Sequence, residues 1–147
     1  METTTGHPTI EGVKTRRAGL HHILVDLETA ISAAAAGRED PWADQVRVAL
    51  ARLSDAFTEH VEQTEGPDGL FDQVRRRAPR LDAHCRRLTD EHRQIATRLA
   101  GAAAALDDDT ASAREAVLKL LALMSRHRQR GADLVYEAYE VDLGGSD

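Results

Sequence analysis

Apolar side chains recur at intervals of three and four residues along four long stretches of this chain, and that interval is the helical one. The stretches cover roughly residues 10–36, 41–65, 79–106 and 111–143. Each is long enough for at least five helical turns, and only short breaks separate them. Four amphipathic helices with short connections predict an all-α fold, an up-down-up-down four-helix bundle.

Turn and capping residues mark where these helices begin. Asp40 and Pro41 predict the start of the second helix, with the aspartate as N-cap and the proline at the first helical position. The fourth helix begins either with a capping box of Ser112 and Glu115 or with a cap at Asp109 or the residue after it. Between the second and third helices, the sequence Gly-Pro-Asp-Gly stops the helix and a short helical segment follows.

Length and composition favour a single domain. A chain of 147 residues can close one core, and 3% aromatic residues with 30% charged residues disfavours a sheet. We expect the bundle to occupy residues 10–143, after a frayed N-terminus of residues 1–9 and before a short tail of residues 144–147. Cys85 is the only cysteine, which excludes an intramolecular disulfide and fits a reducing cytoplasm.

The charge balance argues against two classes of partner. A net charge of −6 works against an extended nucleic-acid footprint, and the basic run Arg75–Arg77 is typical of a solvated helix face. The first residues lack the basic start and apolar run of a signal peptide, and no stretch reaches the roughly 18 apolar residues of a membrane span. We therefore expect a cytoplasmic protein that binds neither nucleic acid nor membrane.

Histidines occupy core positions on several helices. His60, His92 and His127 fall on the apolar stripes of their helices, and His21 flanks the stripe of the first. His22 is turned about 100° further round, mostly towards solvent. Counted from one end of the bundle, the other four lie about 14–18 residues deep, a spread of about 6 Å. The sequence thus predicts one inward histidine per helix in a single layer.

Such a layer needs a ligand. Four buried imidazoles in an apolar core would leave several donors and acceptors unpaired, at about 1–3 kcal/mol each, unless a metal, water or small ligand binds them. Imidazole nitrogens suit iron, zinc or copper, so a metal site in the bundle core is the leading hypothesis. A haem between two facing histidines is a weaker alternative. Nucleophilic catalysis by Cys85 is disfavoured because this residue lies on an apolar stripe.

The histidine-bearing segments resemble those of the hemerythrin-like, HHE cation-binding family. They read GLHHILVDLE, EHVEQTEG, TDEHRQI and SRHRQRGAD, in order along the four helices. The resemblance extends from about Lys14 to Glu140. It implies a four-helix bundle that holds a di-iron centre through histidines on all four helices and through carboxylates that bridge the two ions. It also implies binding or sensing of dioxygen, nitric oxide or peroxide.

The chain departs from this pattern at the bridging carboxylates. Thr64 stands four residues after His60, and Gly131 stands four residues after His127, where the resemblance implies glutamate or aspartate. Without those groups a conventional di-iron centre loses the charges that neutralise it. Gly131 either leaves room for a small ligand or lets the fourth helix pack closely against a neighbour.

The predicted metal ligands are His21, His60, Glu65, His92 and His127. They could hold one iron ion, or a displaced pair of iron ions that also uses Tyr136, Glu137 or Glu91. An enzyme acting on oxygen or peroxide through an open coordination position is a second reading. A third is a degenerate bundle without metal that acts as an interaction or small-ligand-binding protein.

Overall fold

The computed structural model describes residues 10–141, with side chains described for residues 19–140. Regular structure in this part of the chain is entirely helical. In chain order it comprises α1 (Ile10–Ser32), α2 (Glu39–Glu65), α3 (Leu70–Arg77), a 3-10 turn (Pro79–Leu81), α4 (Asp82–Ala105), α5 (Thr110–Tyr136) and a π-helical turn (Glu137–Val141). The predicted all-α four-helix bundle is confirmed, with α1, α2, α4 and α5 as the long helices of the described residues.

The bundle packs around two apolar clusters. α1 packs on α2, α4 packs on α5, and contacts of α2 with α4 and of α1 with α5 close the bundle. The larger cluster receives side chains from all four long helices, with Trp42, Leu53 and Leu120 at its centre. The smaller cluster joins α3 to α4 and α5 around Val74 and Leu134. The core histidines lie between these two clusters.

Two predicted helix boundaries on the α1–α2 connection are corrected. α1 ends at Ser32 instead of near Ala36, and Arg114 of α5 donates to the carbonyl of Ala33 at 2.7 Å, which satisfies one of the carbonyls exposed at this end. α2 begins at Glu39, so Asp40 lies inside the first turn and is not the N-cap. The chain reverses through Gly37, whose φ of +73° is a left-handed conformation that suits glycine.

The ends of α4 and α5 also refine the sequence prediction. Pro79 opens the 3-10 turn, and α4 itself begins three residues later at Asp82. Of the alternatives for the start of α5, the structure has Asp109 as N-cap, with its carboxylate accepting from the Ser112 backbone N–H at 2.7 Å. The predicted end before Gly144 lies outside the described residues.

The Gly-Pro-Asp-Gly sequence ends α2 at Glu65. The N–H of Gly66 donates to the carbonyl of Glu62 at 2.9 Å, and the turn closes where Gly69 donates to the Gly66 carbonyl at 2.9 Å. A Cβ on Gly69 would lie 2.7 Å from the Gln63 carbonyl oxygen, so a larger residue would force the turn open. The turn therefore fixes Glu65 as the last residue of α2, directly beside α4.

The basic run after this turn is engaged with the protein. Arg75 contacts Asp82 at 2.8 Å, Arg76 contacts Asp68 at 3.0 Å, and Arg77 donates to the Ala138 carbonyl at 2.7 Å. These contacts tie α3 to its neighbours.

None of the helices in residues 10–141 combines the length and the apolar character that crossing a membrane requires.

Candidate metal centre

Three histidines from three helices meet in the core. His60 of α2, His92 of α4 and His127 of α5 each place one ring nitrogen within 4.8 Å of the others. The ring centroids of His92 and His127 are 4.7 Å apart, and those of His60 and His92 are 5.0 Å apart. His92 and His127 are buried, and His60 is half-buried. These three side chains thus point into the core, as the sequence predicts.

A buried carboxylate fixes the orientation of His127. Nδ1 of His127 lies 2.8 Å from Oε1 of Glu91, and the other oxygen of Glu91 contacts Arg130. A carboxylate paired with an arginine accepts hydrogen bonds, so Nδ1 of His127 carries the proton. The Nε2 atom of this neutral ring then carries a free lone pair. It faces Nε2 of His60 at 3.4 Å.

Glu65 plays the corresponding part at His92. Its Oε2 lies 2.5 Å from Nδ1 of His92, and this contact again points the Nδ1 proton at a carboxylate. Nε2 of His92 is fully buried and has no hydrogen-bond partner among the described residues. An unpaired buried nitrogen costs about 1–3 kcal/mol, which a bound metal ion would recover.

All three imidazoles are neutral near pH 7. Burial, together with the positive charge that the neighbouring imidazoles would carry, lowers the pKa of His60 and of His92 to about 3. Burial alone lowers the pKa of His127 to about 4. Burial also raises the pKa of Glu65, while Arg93 opposes that change. Neutral rings expose lone pairs, and the nitrogen ligands of a metal must be deprotonated.

The spacing of the nitrogens fits one metal ion better than a hydrogen-bonded pair. Two nitrogens bound to one ion at a tetrahedral angle lie about 3.3–3.4 Å apart, because metal–nitrogen bonds are about 2.0–2.1 Å long. The 3.4 Å between Nε2 of His60 and Nε2 of His127 matches that value and is long for an N–H···N bond. The third nitrogen, within 4.8 Å, would move inward by at most about 1.4 Å to complete the site.

Aromatic side chains enclose the rings. Phe71 stacks on His92 with ring centroids 5.9 Å apart, and Phe57 meets the same ring edge-on at 5.6 Å. Both phenylalanines are buried. They limit the rotation of His92 and keep water away from its ring.

The two sequence positions that lack the expected carboxylates offer no ligand. The hydroxyl of Thr64 donates to the His60 carbonyl at 2.9 Å within its own helix. Gly131 has nothing within 4 Å of the position that a Cβ would take. Of its two predicted roles, the structure therefore supports open space and not close helix packing.

The remaining predicted ligands lie at the edge of the cluster or outside it. His21 is exposed, and its Nδ1 contacts Arg128, so it is not brought together with the three core histidines. Glu65 reaches the site as a partner of His92. His22 is exposed, and His84 is half-buried outside the cluster. The roles of His21 and Glu65 as direct ligands stay predictions.

Glu91 is the functional residue that sequence reasoning undervalued. It appeared only as one of three residues for a displaced metal pair, with Tyr136, which is exposed, and Glu137, which is half-buried. A signal was present, since Glu91 follows Leu88 by three residues and precedes Ile95 by four. Those intervals place Glu91 on the apolar stripe, where a carboxylate needs a buried partner.

Cys85 takes no part in the cluster. It is fully buried in the smaller apolar cluster, and burial raises the pKa of its thiol. A neutral buried thiol is a poor nucleophile, which agrees with its predicted role as a small apolar side chain.

Comparison with known protein families identifies the family of this chain. The family model described as hemerythrin HHE cation binding domain matches residues 20–139. That range contains all three core histidines together with Glu65 and Glu91. Searches of the curated proteins and of the solved structures gave no match.

Proposed function

The chain belongs to the hemerythrin HHE cation-binding domain family, and from this premise we propose that it binds a single metal ion, iron in the first place, through His60, His92 and His127. The observation that carries the proposal is the convergence of three neutral ring nitrogens in the core. Two of them are already at the separation that one ion requires.

The local charges favour one ion over two. Three neutral imidazoles contribute no charge, so the positive charge of a divalent ion must be balanced by Glu65 and Glu91, which lie behind the ligating rings. The positive charge of Arg130 cancels part of the negative charge of Glu91. A second divalent ion would add two more positive charges with no further buried carboxylate among the described residues. Thr64 and Gly131 supply none.

The protein's own residues prepare this site. Glu91, which contacts Arg130, accepts a hydrogen bond from Nδ1 of His127, and Glu65 accepts one from Nδ1 of His92. These hydrogen bonds fix the tautomer and the direction of both rings. Phe57 and Phe71 restrict the rings and exclude water. When bound, an iron ion would supply an open coordination position for a small ligand. We propose dioxygen, nitric oxide or peroxide as that ligand.

Several finer features belong to the same proposal. His21 and Glu65 are candidates for additional direct ligands after local movement, and His21 would have to leave Arg128. We propose a domain over residues 10–143 in a reducing cytoplasm, which the single cysteine supports. The engaged arginines of α3 support a protein without a nucleic-acid partner.

Metal content tests the proposal directly. We would express the chain without a histidine tag in iron-supplemented medium and measure iron, zinc and copper by elemental mass spectrometry. The expected result is about one iron per chain, falling below about a tenth of that in H92A. H84A is the matched control, because His84 lies on the same helix outside the cluster, and it should keep its metal.

Four outcomes would count against the proposal in whole or in part. Metal well below one per chain in the wild-type protein would contradict it, as would equal metal in wild type and H92A. Two irons per chain would contradict the single-ion assignment. One zinc ion per chain would support the site but contradict iron as its metal. It would also exclude dioxygen, nitric oxide and peroxide as the ligands that the site binds.

A degenerate bundle without metal is the second candidate function. The observations that favour it are the engagement of Thr64 within its own helix and the open space beside Gly131. In that case the space beside the histidines would serve a small organic ligand. Metal-free protein that stays folded and binds such a ligand would support it.

A further inference from the structure

A cavity of about 290 Å³ lies beside the histidine cluster, between α1, α2 and α5. Gly131 opens it, because no atom lies within 4 Å of the position that its Cβ would take. Both His60 and His127 line this cavity, whereas His92 does not. The cavity therefore adjoins the proposed metal site and shares His60 and His127 with it as walls.

The walls are mostly apolar, and aromatic rings contribute to them. Phe57, Phe71 and Met124 are buried side chains of this lining, and the two imidazoles add flat, neutral surfaces. Flat apolar walls favour a flat apolar ligand, since stacked and edge-on ring contacts add to simple burial. A cavity of about 150 Å³ holds benzene, so about 290 Å³ accommodates a ring with several further heavy atoms.

One positive group stands at the rim. Arg128 lines the cavity, is half-buried and contacts Nδ1 of His21. Within residues 19–140 it has no carboxylate partner, whereas seven other arginines of this acidic chain have one. A guanidinium presents five N–H donors in a planar fork, so the contact with His21 leaves donors free for a carboxylate.

The other charged group of the lining is Glu59. It is exposed at the rim, and its carboxylate accepts from the side-chain amide of Gln63 at 3.0 Å. Because Glu59 is on the solvent side, its repulsion of an anion is screened more strongly than the attraction of half-buried Arg128.

We propose that this cavity binds a small aromatic monocarboxylate, with the ring among the apolar walls and the carboxylate on Arg128. The ligand class follows from the volume, the flat lining and a guanidinium that has no carboxylate partner among the described residues. This inference goes beyond the metal proposal and does not depend on it.

Calorimetric titration of metal-free, full-length protein tests the proposal. The probe is 3-phenylpropionate, with 3-phenylpropionamide as the neutral ligand of the same shape. We expect a Kd of about 1 mM or tighter for the acid, as ligand efficiency suggests for eleven heavy atoms, and binding about tenfold weaker for the amide. The variant R128Q should bind acid and amide equally.

Two further variants separate the cavity from the metal site. G131L fills the space from a helical position and should remove binding of both probes, while its helical signal in circular dichroism shows that it is folded. H92L should lose metal and keep the acid, since His92 does not line the cavity. E59Q should bind the acid somewhat more tightly.

The proposal would be overturned if folded wild-type protein binds neither probe at 5 mM, a concentration about five times the expected Kd. It would also be overturned if the amide binds as tightly as the acid, or if G131L binds like the wild type. Loss of metal in H92L with retained acid binding leaves both proposals intact. Retention of metal in H92L contradicts the metal proposal alone.

Discussion

Acidification should unfold the metal-free protein early, because three imidazoles are buried in their neutral form. The unfolded chain holds these groups at a pKa of 6.5, and the folded chain lowers them to about 3, 3 and 4. Between those values the unfolded state binds more protons than the folded state, so the free energy of unfolding falls as pH falls. The stabilisation that these neutral imidazoles contribute is fully present above about pH 6.5 and decreases as pH falls to about 3.

The size of the effect follows from the same pKa values. A pH of 5 is 1.5 units below the pKa of 6.5 that each histidine has in the unfolded chain. Protonation of one such histidine therefore stabilises the unfolded state by about 2 kcal/mol. Three such groups give an upper limit of about 6 kcal/mol, a large part of the 5–15 kcal/mol that stabilises an ordinary domain. Glu65 acts in the opposite direction, since its pKa is raised in the folded state.

Urea unfolding of chelator-treated protein between pH 7.5 and pH 5 measures this dependence. Circular dichroism at 222 nm would report the helix content, and the slope near pH 5 should approach about 4 kcal/mol per pH unit for three protons. In H92L the slope should lose about a third. A change of less than about 1 kcal/mol between pH 7 and pH 5 would refute the reasoning, because it would mean that these imidazoles titrate as in water.

Three further predictions each change one or two side chains. E91Q should weaken metal binding by about 10- to 100-fold in a chelator competition while the fold persists, because the amide is a poorer acceptor for Nδ1 of the histidine. The double variant T64E and G131D should raise iron from about one to about two per chain by elemental mass spectrometry; an unchanged value would mean that missing carboxylates do not limit the site. R114M should lower the urea-derived unfolding free energy by about 1–3 kcal/mol, because it removes the 2.7 Å bond to the Ala33 carbonyl.

The fold and most of the histidine layer could be predicted because both depend on helical periodicity. His60, His92 and His127 replace apolar residues at intervals of three and four, and those intervals fix the direction of a side chain relative to its helix. His21 shows where periodicity becomes ambiguous. It adjoins the half-buried Leu20 and precedes buried Leu24 by three residues, so a modest rotation of α1 decides whether it points inward.

The carboxylates were harder to predict because their positions depend on contacts between helices. Glu65 follows His60 by five residues, which on an ideal helix turns it about 100° away from the apolar stripe, yet as the last residue of α2 it reaches His92 on the neighbouring α4. Glu91 requires both a histidine and an arginine from α5, and neither pairing is visible within one helix. Periodicity gives the direction of a side chain relative to its own axis, whereas these contacts depend on the rotation and offset of two helices.

The arrangement of the two apolar clusters separates folding from metal binding. The larger cluster draws on all four long helices and includes Leu27, Leu53 and Leu120, each fully buried. Burial of such a side chain contributes about 1.5–3 kcal/mol, so a few of them offset the cost of an unpaired imidazole nitrogen. The bundle should therefore stay folded without metal near neutral pH. It follows that loss of metal in H92A, measured while the helical signal is unchanged, reports on the site and not on the fold.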